Sequence, residues 1–377
     1  MSTTFEDITQ DVLAREDIVR YIKDSPGELG IETRERVEAY LEELRTTQRY
    51  SIYRTLKHPL YPILRKIERY GENLSTVKTA THAGRVIYAS NHRSHIDYLI
   101  EPLVLDDNGI RPPIIAAGIN LFGGPLGLLH RHVTGAIPIR RNTKDPVYLI
   151  TLKAYVAELL HRHDLFFYPE GGRSYSGELK GPKTGFLKAA LQGGHPNVVI
   201  VPTAVSYDLV LEDHVLAHQG VKRRQRPFRH ELAEMVRYAV GYKSRVYVTF
   251  GQPITTDSID PDSRRAVLNL AHTIMNEIGT LYKVLPTALI ATAMQPSISR
   301  RNLQNNINTL IDTLGSAGAN MGVSNGEEAI ELAVEALESR GVIVVERGHF
   351  RVRDRNVLKY YSRSLEHLLK PQSTRKK

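Results

Sequence analysis

The 377-residue chain has the composition of an ordinary globular protein, with 41% hydrophobic and 24% charged residues. It contains no cysteine, which excludes disulfides, thiolate metal ligands and a cysteine nucleophile. The formal net charge of +9 at pH 7 predicts an anionic partner, and anionic lipid, a phosphorylated metabolite and nucleic acid all fit this charge.

The first 75 residues are predicted to form an N-terminal helical segment. Residues 5–24 and 33–70 have helical patterns, and the apolar residues from Val37 to Leu44 recur at helical spacing. Residues 1–10 are polar and acidic and contain no apolar stretch, so no signal peptide is expected.

Residues 76–285 alternate between short apolar runs and helical patterns, which is typical of an α/β domain with a mixed, partly parallel sheet. The predicted strands are Val86–Ala89, Ile114–Ala117, Ala136–Ile139, Leu165–Tyr168, Val198–Val201 and Arg245–Phe250. The uncharged run from Pro112 to Leu129 contains three prolines and four glycines. Because these residues interrupt helices, no transmembrane helix is expected there.

Residues 286–377 are predicted to be a helical region that contains one β-hairpin. The hairpin would pair Val342–Glu346 with His349–Val352 through a turn at Arg347 and Gly348. A helix followed by a hairpin is typical of winged-helix folds, which keeps nucleic-acid binding as an alternative function.

A polar cluster, Asn91–Tyr98, lies between the first predicted strand of this domain and a helical pattern. If His92 lies in the turn and Asp97 in the first helical turn, the carboxylate can orient the imidazole and stabilise its protonated form. Ser94 is predicted to be the N-cap, with Asp97 at capping-box spacing. No protein nucleophile is required if the attacking hydroxyl belongs to the substrate.

Two alternatives remain open for this cluster. Asp97 could serve only to cap the helix, while His92 only fills the turn. His92, His95 and Asp97 could also bind a metal ion, but no further carboxylate or histidine nearby completes a coordination sphere. No metal is therefore expected.

A second strand ends in two arginines, within the stretch Gly135–Arg141. The guanidinium groups of Arg140 and Arg141 have the geometry that binds phosphate oxygens. The alternative is that they are ordinary surface charges.

A third strand runs into the stretch Phe166–Ser174, where Glu170 and Arg173 flank two glycines that allow a ligand to approach the backbone. Lys180 and Lys183 add positive charge, although a plain β-turn would also explain the glycines. Because the carboxyl ends of parallel strands meet at one edge, the three stretches predict a base beside a phosphate-sized anion site.

These stretches, in this order, give the chain a resemblance to the glycerolipid acyltransferases. Within them it resembles the glycerol-3-phosphate acyltransferases of the bacterial PlsB type and their dihydroxyacetone-phosphate relatives. His92–Asp97 is similar to the family's His-x4-Asp block, Gly135–Arg141 to its second block, Phe167–Ser174 to its third and Val201–Pro202 to its fourth. The resemblance covers roughly residues 80–295.

The resemblance implies a glycerolipid acyltransferase-type α/β domain, which would be flanked by the N-terminal helices and the winged-helix-like C-terminal region that the sequence pattern predicts. It implies acyl transfer from acyl-CoA or acyl-carrier protein to the sn-1 hydroxyl of glycerol 3-phosphate, with dihydroxyacetone phosphate as the alternative acceptor. His92 would be the catalytic base and Asp97 its orienting carboxylate. The substrate-binding residues would be Arg93, Ser94, Arg140, Arg141, Glu170, Gly171, Gly172, Arg173, Ser174 and Lys183.

The same resemblance predicts that the enzyme needs no cofactor and acts as a peripheral protein on the cytoplasmic face of a membrane with anionic lipid. No nucleic-acid partner is expected. The apolar segment 121–126 could line an acyl groove or enter the membrane interface. The basic loop 222–229 could contact anionic lipid, an acidic carrier protein or CoA phosphates, or could simply be solvated. Nucleic-acid binding and metal-dependent phosphate-ester hydrolysis remain the alternatives from other classes.

Overall fold

The computed structural model describes residues 5–25, 28–52, 54, 67–119, 127, 131–140, 143–222 and 244–370. Several predicted features lie outside these ranges, namely Arg141, the apolar segment 121–126 and the basic loop 222–229 beyond its first residue. No helix in the described ranges combines the length and apolarity that crossing a bilayer requires.

The fold is an α/β architecture built around a mixed sheet. The N-terminal helices are α1 (Phe5–Ala14), α2 (Glu16–Lys23) and α3 (Glu28–Leu44). The strands of the sheet are β1 (Ile67–Glu72), β2 (Arg85–Ser90), β3 (Ile114–Gly118), β4 (Ala136–Ile139), β5 (Leu165–Phe167), β6 (Val198–Tyr207), β7 (Ser244–Phe250) and β8 (Ile254–Thr255). The helices around them are α4 (Leu74–Ala83), α5 (Asp97–Asp107), α6 (Pro146–Leu160), α7 (Gly185–Leu191), α8 (Asp213–Lys222) and α9 (Arg264–Leu281).

The order of the strands is β1-β7-β6-β2-β5-β3-β4, with β8 paired to β6. All neighbours along this order are parallel except β6 and β7, and β8 is also antiparallel to β6. The predicted mixed, partly parallel sheet and its six predicted strands are therefore confirmed. Strands β2, β4, β5 and β6 point the same way, so their carboxyl ends lie at one edge of the sheet.

The prediction of helix through residue 70 is wrong at its end, because residues 67–72 form the edge strand β1. This strand pairs in parallel with β7, Ile67 is buried, and the ring of Tyr70 stacks on Tyr247 with centroids 4.9 Å apart. The local sequence does not reveal this partner, which is more than 170 residues away, and pairing with it overrides the local preference.

The N-terminal helices pack against α6. Leu41 and Leu44 of α3 are fully buried in the same apolar cluster as Tyr148 and Tyr155 of α6. Beyond α3, the hydroxyl of Tyr155 accepts a hydrogen bond from the backbone N–H of Thr46 at 3.0 Å. The apolar positions that predicted these helices are therefore the ones that bury them.

The C-terminal region begins after strand β9 (Lys283–Val284). Its elements are α10 (Pro286–Ala293), β10 (Ser297–Ser299), α11 (Arg300–Ser316), β11 (Asn320–Met321), α12 (Gly326–Ser339), β12 (Ile343–Glu346), β13 (His349–Val352), α13 (Arg355–Arg363) and α14 (Glu366–Leu369). Strands β12 and β13 form the predicted antiparallel hairpin, and β10 adds a third strand. The winged-helix interpretation stays a prediction.

One apolar core joins this region to the sheet. It contains Tyr88 and Val205 from the sheet together with Leu289 of α10 and Tyr361 of α13. The C-terminal helices α10 and α13 thus pack in the same core as the strands whose carboxyl ends carry the predicted site.

Candidate active site

The turn between β2 and α5 brings His92 and Asp97 into contact, as their spacing predicts. Asp97 is completely buried, and its Oδ2 accepts hydrogen bonds from His92 Nδ1 at 2.9 Å and from the backbone N–H groups of Arg93 and Ser94 at 2.6 and 2.8 Å. The hydroxyl of Tyr207, at the end of β6, donates to Oδ1 at 2.6 Å. Four donors therefore satisfy the oxygens of this carboxylate and fix it in place.

The predicted capping arrangement is half present. Asp97 accepts from the Ser94 N–H as a capping box requires, but α5 begins at Asp97 with Ile96 in the N-cap position. The Ser94 hydroxyl instead donates to Glu212 Oε2 at 2.7 Å. The Ser94 hydroxyl, which would cap the helix in a capping box, is therefore bonded to the buried carboxylate of Glu212, more than 100 residues away in the sequence.

His92 is held as a neutral imidazole. Its ring stacks on Tyr168, with centroids 4.1 Å apart and planes 14° apart, and its side chain is 13% exposed. Burial lowers the pKa of His92 to about 4, although Asp97 acts in the opposite direction. Because Nδ1–H donates to the Asp97 carboxylate, Nε2 carries the lone pair and can accept a proton from a hydroxyl.

A second carboxyl group lies one helical turn beyond Asp97. Glu101 is completely buried and accepts hydrogen bonds from the hydroxyls of Ser90 and Tyr168, the latter at 2.9 Å. Burial, followed by the nearby charge of Asp97, raises the pKa of Glu101 well above its usual range. The raised pKa favours the protonated form of Glu101, which lies beneath the ring on which His92 stacks. Glu101 is not among the residues predicted from the sequence, although its i, i+4 spacing from Asp97 is a usable signal.

The loop after β5 fixes the main chain of His92. Glu170 is buried, and its carboxylate accepts from the backbone N–H groups of His92 at 2.9 Å and Lys180 at 3.0 Å. The N–H of Ser174 donates to the carbonyl of His92 at 3.0 Å. Glu170 and Ser174, which are predicted to bind substrate, therefore lie at the site. These hydrogen bonds are made to the backbone of the protein itself.

The two glycines of this loop form a close-packed turn. Gly171 has a φ of +68°, and a Cβ built on it would lie 2.5 Å from Cδ of Lys183. The side chain of Lys183 therefore covers Gly171, and its position is exposed. The ammonium of Lys180 donates to the carbonyls of Gly172 and Arg173, which fixes the loop from the other side.

Arg173 lies near His92 and interacts with Glu212, a carboxylate that is not among the residues predicted from the sequence. Its Nη1 is 3.6 Å from Glu212 Oε1, and its positive charge contributes to the lowered pKa of His92. Glu212 is completely buried and also accepts from the N–H of His95 at 2.6 Å. Glu212 thus ties the His92 turn to the arginine of the third block, and no local pattern around it revealed this role.

Arg93 points to the C-terminal side of the turn. It is 2% exposed, its guanidinium lies 4.9 Å from the centre of the Tyr282 ring, and it donates to the carbonyl of Gly177. These contacts join the turn to the loop after β5 and to the segment before α10.

Arg140 lies elsewhere on the sheet. Its Nε donates to Glu43 Oε1 at 2.7 Å, its Nη2 bonds to the other oxygen, and its guanidinium faces Tyr40 and Tyr148. Strand β4 is three positions from β2 in the sheet, which corresponds to about 14 Å. The first block, His92–Asp97, and the third block, Phe167–Ser174, therefore lie together in the structure. Arg140 of the second block lies apart from them and forms an ion pair with Glu43 of α3. Arg141 is outside the described residues.

The gathered residues have the parts needed for proton abstraction next to an anion. A neutral imidazole is oriented by a buried carboxylate, and the Arg173 guanidinium and the Lys183 ammonium lie on the neighbouring loop. This arrangement can take a proton from a hydroxyl group and balance negative charge on the same molecule.

Comparisons with known proteins agree with these blocks. Residues 66–206 match the family model described as Acyltransferase, and residues 231–374 match the one described as Glycerol-3-phosphate acyltransferase C-terminal region. A glycerol-3-phosphate acyltransferase of Pasteurella multocida (strain Pm70) is 32% identical over 327 residues, which cover 77% of this chain and 40% of the relative.

The chain thus matches about 40% of the length of this curated relative. Among solved structures, the 1-acyl-sn-glycerophosphate (LPA) acyltransferase PlsC from Thermotoga maritima has 13% sequence identity and a TM-score of 0.36. That similarity covers 72% of this chain and 92% of the other. The two family models and the curated relative thus show that most of the described site and the C-terminal region are similar to glycerol-3-phosphate acyltransferases.

Proposed function

We propose that the protein transfers a fatty acyl group from an acyl thioester to the sn-1 hydroxyl of glycerol 3-phosphate, giving lysophosphatidic acid for phospholipid synthesis. The donor would be acyl-CoA or acyl-carrier protein. The observation that carries this proposal is the buried, neutral His92 bonded to Asp97 at 2.9 Å. The matched family model and the acceptor named for the relative support the substrate class.

In this mechanism, Nε2 of His92 takes the proton of the acceptor hydroxyl as its oxygen attacks the thioester carbonyl carbon. The carbon–sulfur bond then breaks, and the protonated His92 returns the proton to the leaving sulfur, which departs as a thiol. Asp97 stabilises the imidazolium that exists between the two transfers. The protein supplies base, acid and orientation in this scheme, and no cofactor is required.

Arg173 and Lys183 are the groups proposed to bind the acceptor phosphate. Both belong to the loop that holds the main chain of His92, so a phosphate bound there would place the adjoining glycerol carbons near the base. Arg140 would take part only after leaving Glu43. Dihydroxyacetone phosphate carries the same phosphate and a free hydroxyl, and is the second acceptor to test.

The proposed location is the cytoplasmic face of a membrane that contains anionic lipid. The net charge of +9 supports electrostatic attraction to such a surface, and the lysophosphatidic acid product partitions into a bilayer. Vesicle sedimentation should therefore show binding that requires anionic lipid and weakens as salt is raised. Binding to neutral vesicles alone, or to none, would refute this location.

The test of the reaction is thiol release from palmitoyl-CoA and from palmitoyl-acyl-carrier protein, in the presence of anionic vesicles, with and without glycerol 3-phosphate. We expect release that depends on the acceptor in the wild type and is lost in His92→Ala. His163→Ala is the matched control, because burial also lowers the pKa of His163 to about 4, but it precedes β5 at the opposite edge of the sheet. It should retain activity.

The outcomes separate the competing functions. If thiol release requires dihydroxyacetone phosphate and does not occur with glycerol 3-phosphate, the acceptor is dihydroxyacetone phosphate. Silence with both donors and both acceptors would reject acyl transfer. Salt-sensitive DNA binding would then favour the nucleic-acid alternative, and metal-dependent release of inorganic phosphate would favour the phosphohydrolase.

A further inference from the structure

Two histidines and an aspartate meet where α8 packs against the start of α13, away from the β2–α5 turn. His214 and His218 are one helical turn apart on α8, and Asp354 is the N-cap of α13. His214 Nδ1 lies 3.4 Å from Asp354 Oδ2, and His218 Nε2 lies 3.5 Å from the same oxygen. The three ligand atoms all lie within 4.8 Å of one another.

The other ring nitrogen of each histidine contacts a backbone carbonyl. His214 Nε2 is 3.1 Å from the carbonyl oxygen of Arg340, and His218 Nδ1 is 2.7 Å from the carbonyl oxygen of His214. A carbonyl oxygen accepts hydrogen bonds only, so each of these nitrogens carries a proton. In neutral imidazoles, the lone pairs are then on the two nitrogens that face Asp354.

This arrangement places two lone pairs against one carboxylate oxygen, which is unfavourable without a positive charge between them. Metal-binding histidines typically donate their second N–H to a carbonyl or carboxylate, and this contact fixes the tautomer and ring orientation. Tetrahedral zinc bonds of about 2.0–2.1 Å place neighbouring ligand atoms about 3.3 Å apart. The two distances from the histidine nitrogens to Asp354, 3.4 and 3.5 Å, are close to that spacing.

We propose that His214, His218 and Asp354 bind one zinc ion, or a divalent ion of similar chemistry, with water completing the tetrahedron. Two imidazoles and one carboxylate suit zinc, whereas magnesium and calcium favour sites made of oxygen ligands. The side chains are 21%, 44% and 18% exposed, which leaves room for an ion and its water to enter.

The role of the ion would be structural. It would join α8, which follows the Glu212 segment, to α13 of the C-terminal region, and it lies apart from the His92 turn. From the sequence alone no metal is expected, and the candidate ligands there are His92, His95 and Asp97. The three residues were not recognised because His214 and Asp354 are 140 positions apart and only the fold brings them together.

The test uses full-length protein without a histidine tag, dialysed against a chelator and then titrated with Co²⁺ and Zn²⁺. We expect one equivalent of Co²⁺ to give the visible absorption of a tetrahedral site, and Zn²⁺ to displace it and raise the melting temperature by a few degrees. Co²⁺ affinity should fall at least tenfold in His218→Gln and in Asp354→Asn.

Asp354→Asn is informative because the helix cap is retained. Asp354 Oδ1 accepts from the N–H groups of Asn356 and Val357, and an asparagine oxygen can do the same while its amide nitrogen cannot bind the metal. His349→Ala, at an exposed position in the hairpin, is the control and should bind like the wild type. Absence of the tetrahedral spectrum, or equal affinity in all variants, would overturn the proposal and leave a proton-linked ion pair in its place.

Discussion

Two buried carboxyl groups lie one turn apart on α5 and have different hydrogen-bond partners. Asp97 has four hydrogen-bond donors, two of which are backbone N–H groups. Glu101 accepts from the hydroxyls of Ser90 and Tyr168, and no positive charge is among its contacts in the described part of the chain. Burial, followed by the charge of Asp97, raises its pKa. These different surroundings point to different roles, with Asp97 orienting His92 and Glu101 supporting the ring of Tyr168 on which His92 stacks.

Amide substitutions at these two positions test that difference. Asp97→Asn should lower kcat by about 10²–10⁴-fold, because an amide does not stabilise the imidazolium and can hold the wrong tautomer of His92. Glu101→Gln should change kcat by less than about threefold, because the raised pKa of Glu101 favours its protonated form, and an amide has the same shape as that form. Steady-state thiol release measures both, and equal losses in the two variants would show that Glu101 is ionised.

The buried position of His92 makes a prediction about its protonation. Burial lowers its pKa from 6.5 to about 4, so it should remain neutral throughout the range in which an ordinary histidine becomes charged. In ¹H–¹³C NMR spectra of the free enzyme, the His92 ring signal, identified by its absence in His92→Gln, should not shift between pH 7.5 and about 5. A titration midpoint near 6.5 would contradict the burial argument. The free enzyme is used because the acceptor phosphate itself titrates near pH 6.

At the scale of elements, the loop after β5 is packed tightly against α13. Gly177 has a φ of +86°, and a Cβ built on it would lie only 1.8 Å from the carbonyl oxygen of Tyr360. The carbonyl of Gly177 also accepts from Arg93. A helix of the C-terminal region therefore sets the position of the loop that holds Arg173 and supports His92.

Gly177→Ala should consequently destabilise the protein by about 1–3 kcal/mol and reduce activity, because the loop must move away from α13. Gly181→Ala is the matched control on the same loop, since its φ is not in the left-handed region and nothing lies within 4 Å of an added Cβ. It should be neutral or slightly stabilising. Urea denaturation followed by circular dichroism measures both changes, and equal stability of the two variants would refute the close contact.

The sequence allowed the prediction of those parts of the site that lie within short stretches. His92 and Asp97 are five residues apart, and Glu170 to Ser174 follow a strand recognisable by its apolar run, so their approach required only a parallel sheet. The sequence did not reveal Tyr207 and Glu212, which reach the turn because β6 extends beyond the end of β2. Likewise, the separation of Arg140 from His92 depends on the strand order, which the alternation of helices and strands does not determine.

At the scale of the whole molecule, the segment from Val210 to Asp213 links the catalytic turn to the C-terminal helices. On one side, Glu212 accepts hydrogen bonds from Ser94 and His95 of the catalytic turn. On the other side, the next residue, Asp213, accepts from the Tyr361 hydroxyl at 2.6 Å and from Arg340. The backbone N–H of Val210 donates to the Tyr361 hydroxyl at 3.0 Å. Because the apolar core is also continuous from the sheet to α13, we expect the described parts of the chain to unfold together.

Calorimetry of two neighbouring tyrosine variants tests this expectation. Tyr361→Phe removes both hydrogen bonds of a buried hydroxyl and should cost about 1–3 kcal/mol, because a buried carboxylate and a backbone N–H lose a partner. Tyr360→Phe is the control: its buried hydroxyl has no hydrogen-bond partner among the described residues, so its removal should be neutral or stabilising. Both variants should retain a single transition whose calorimetric and van't Hoff enthalpies agree. If Tyr361→Phe instead shifts only one of two separate transitions, the C-terminal region folds independently of the sheet, and its contacts do not position the catalytic turn.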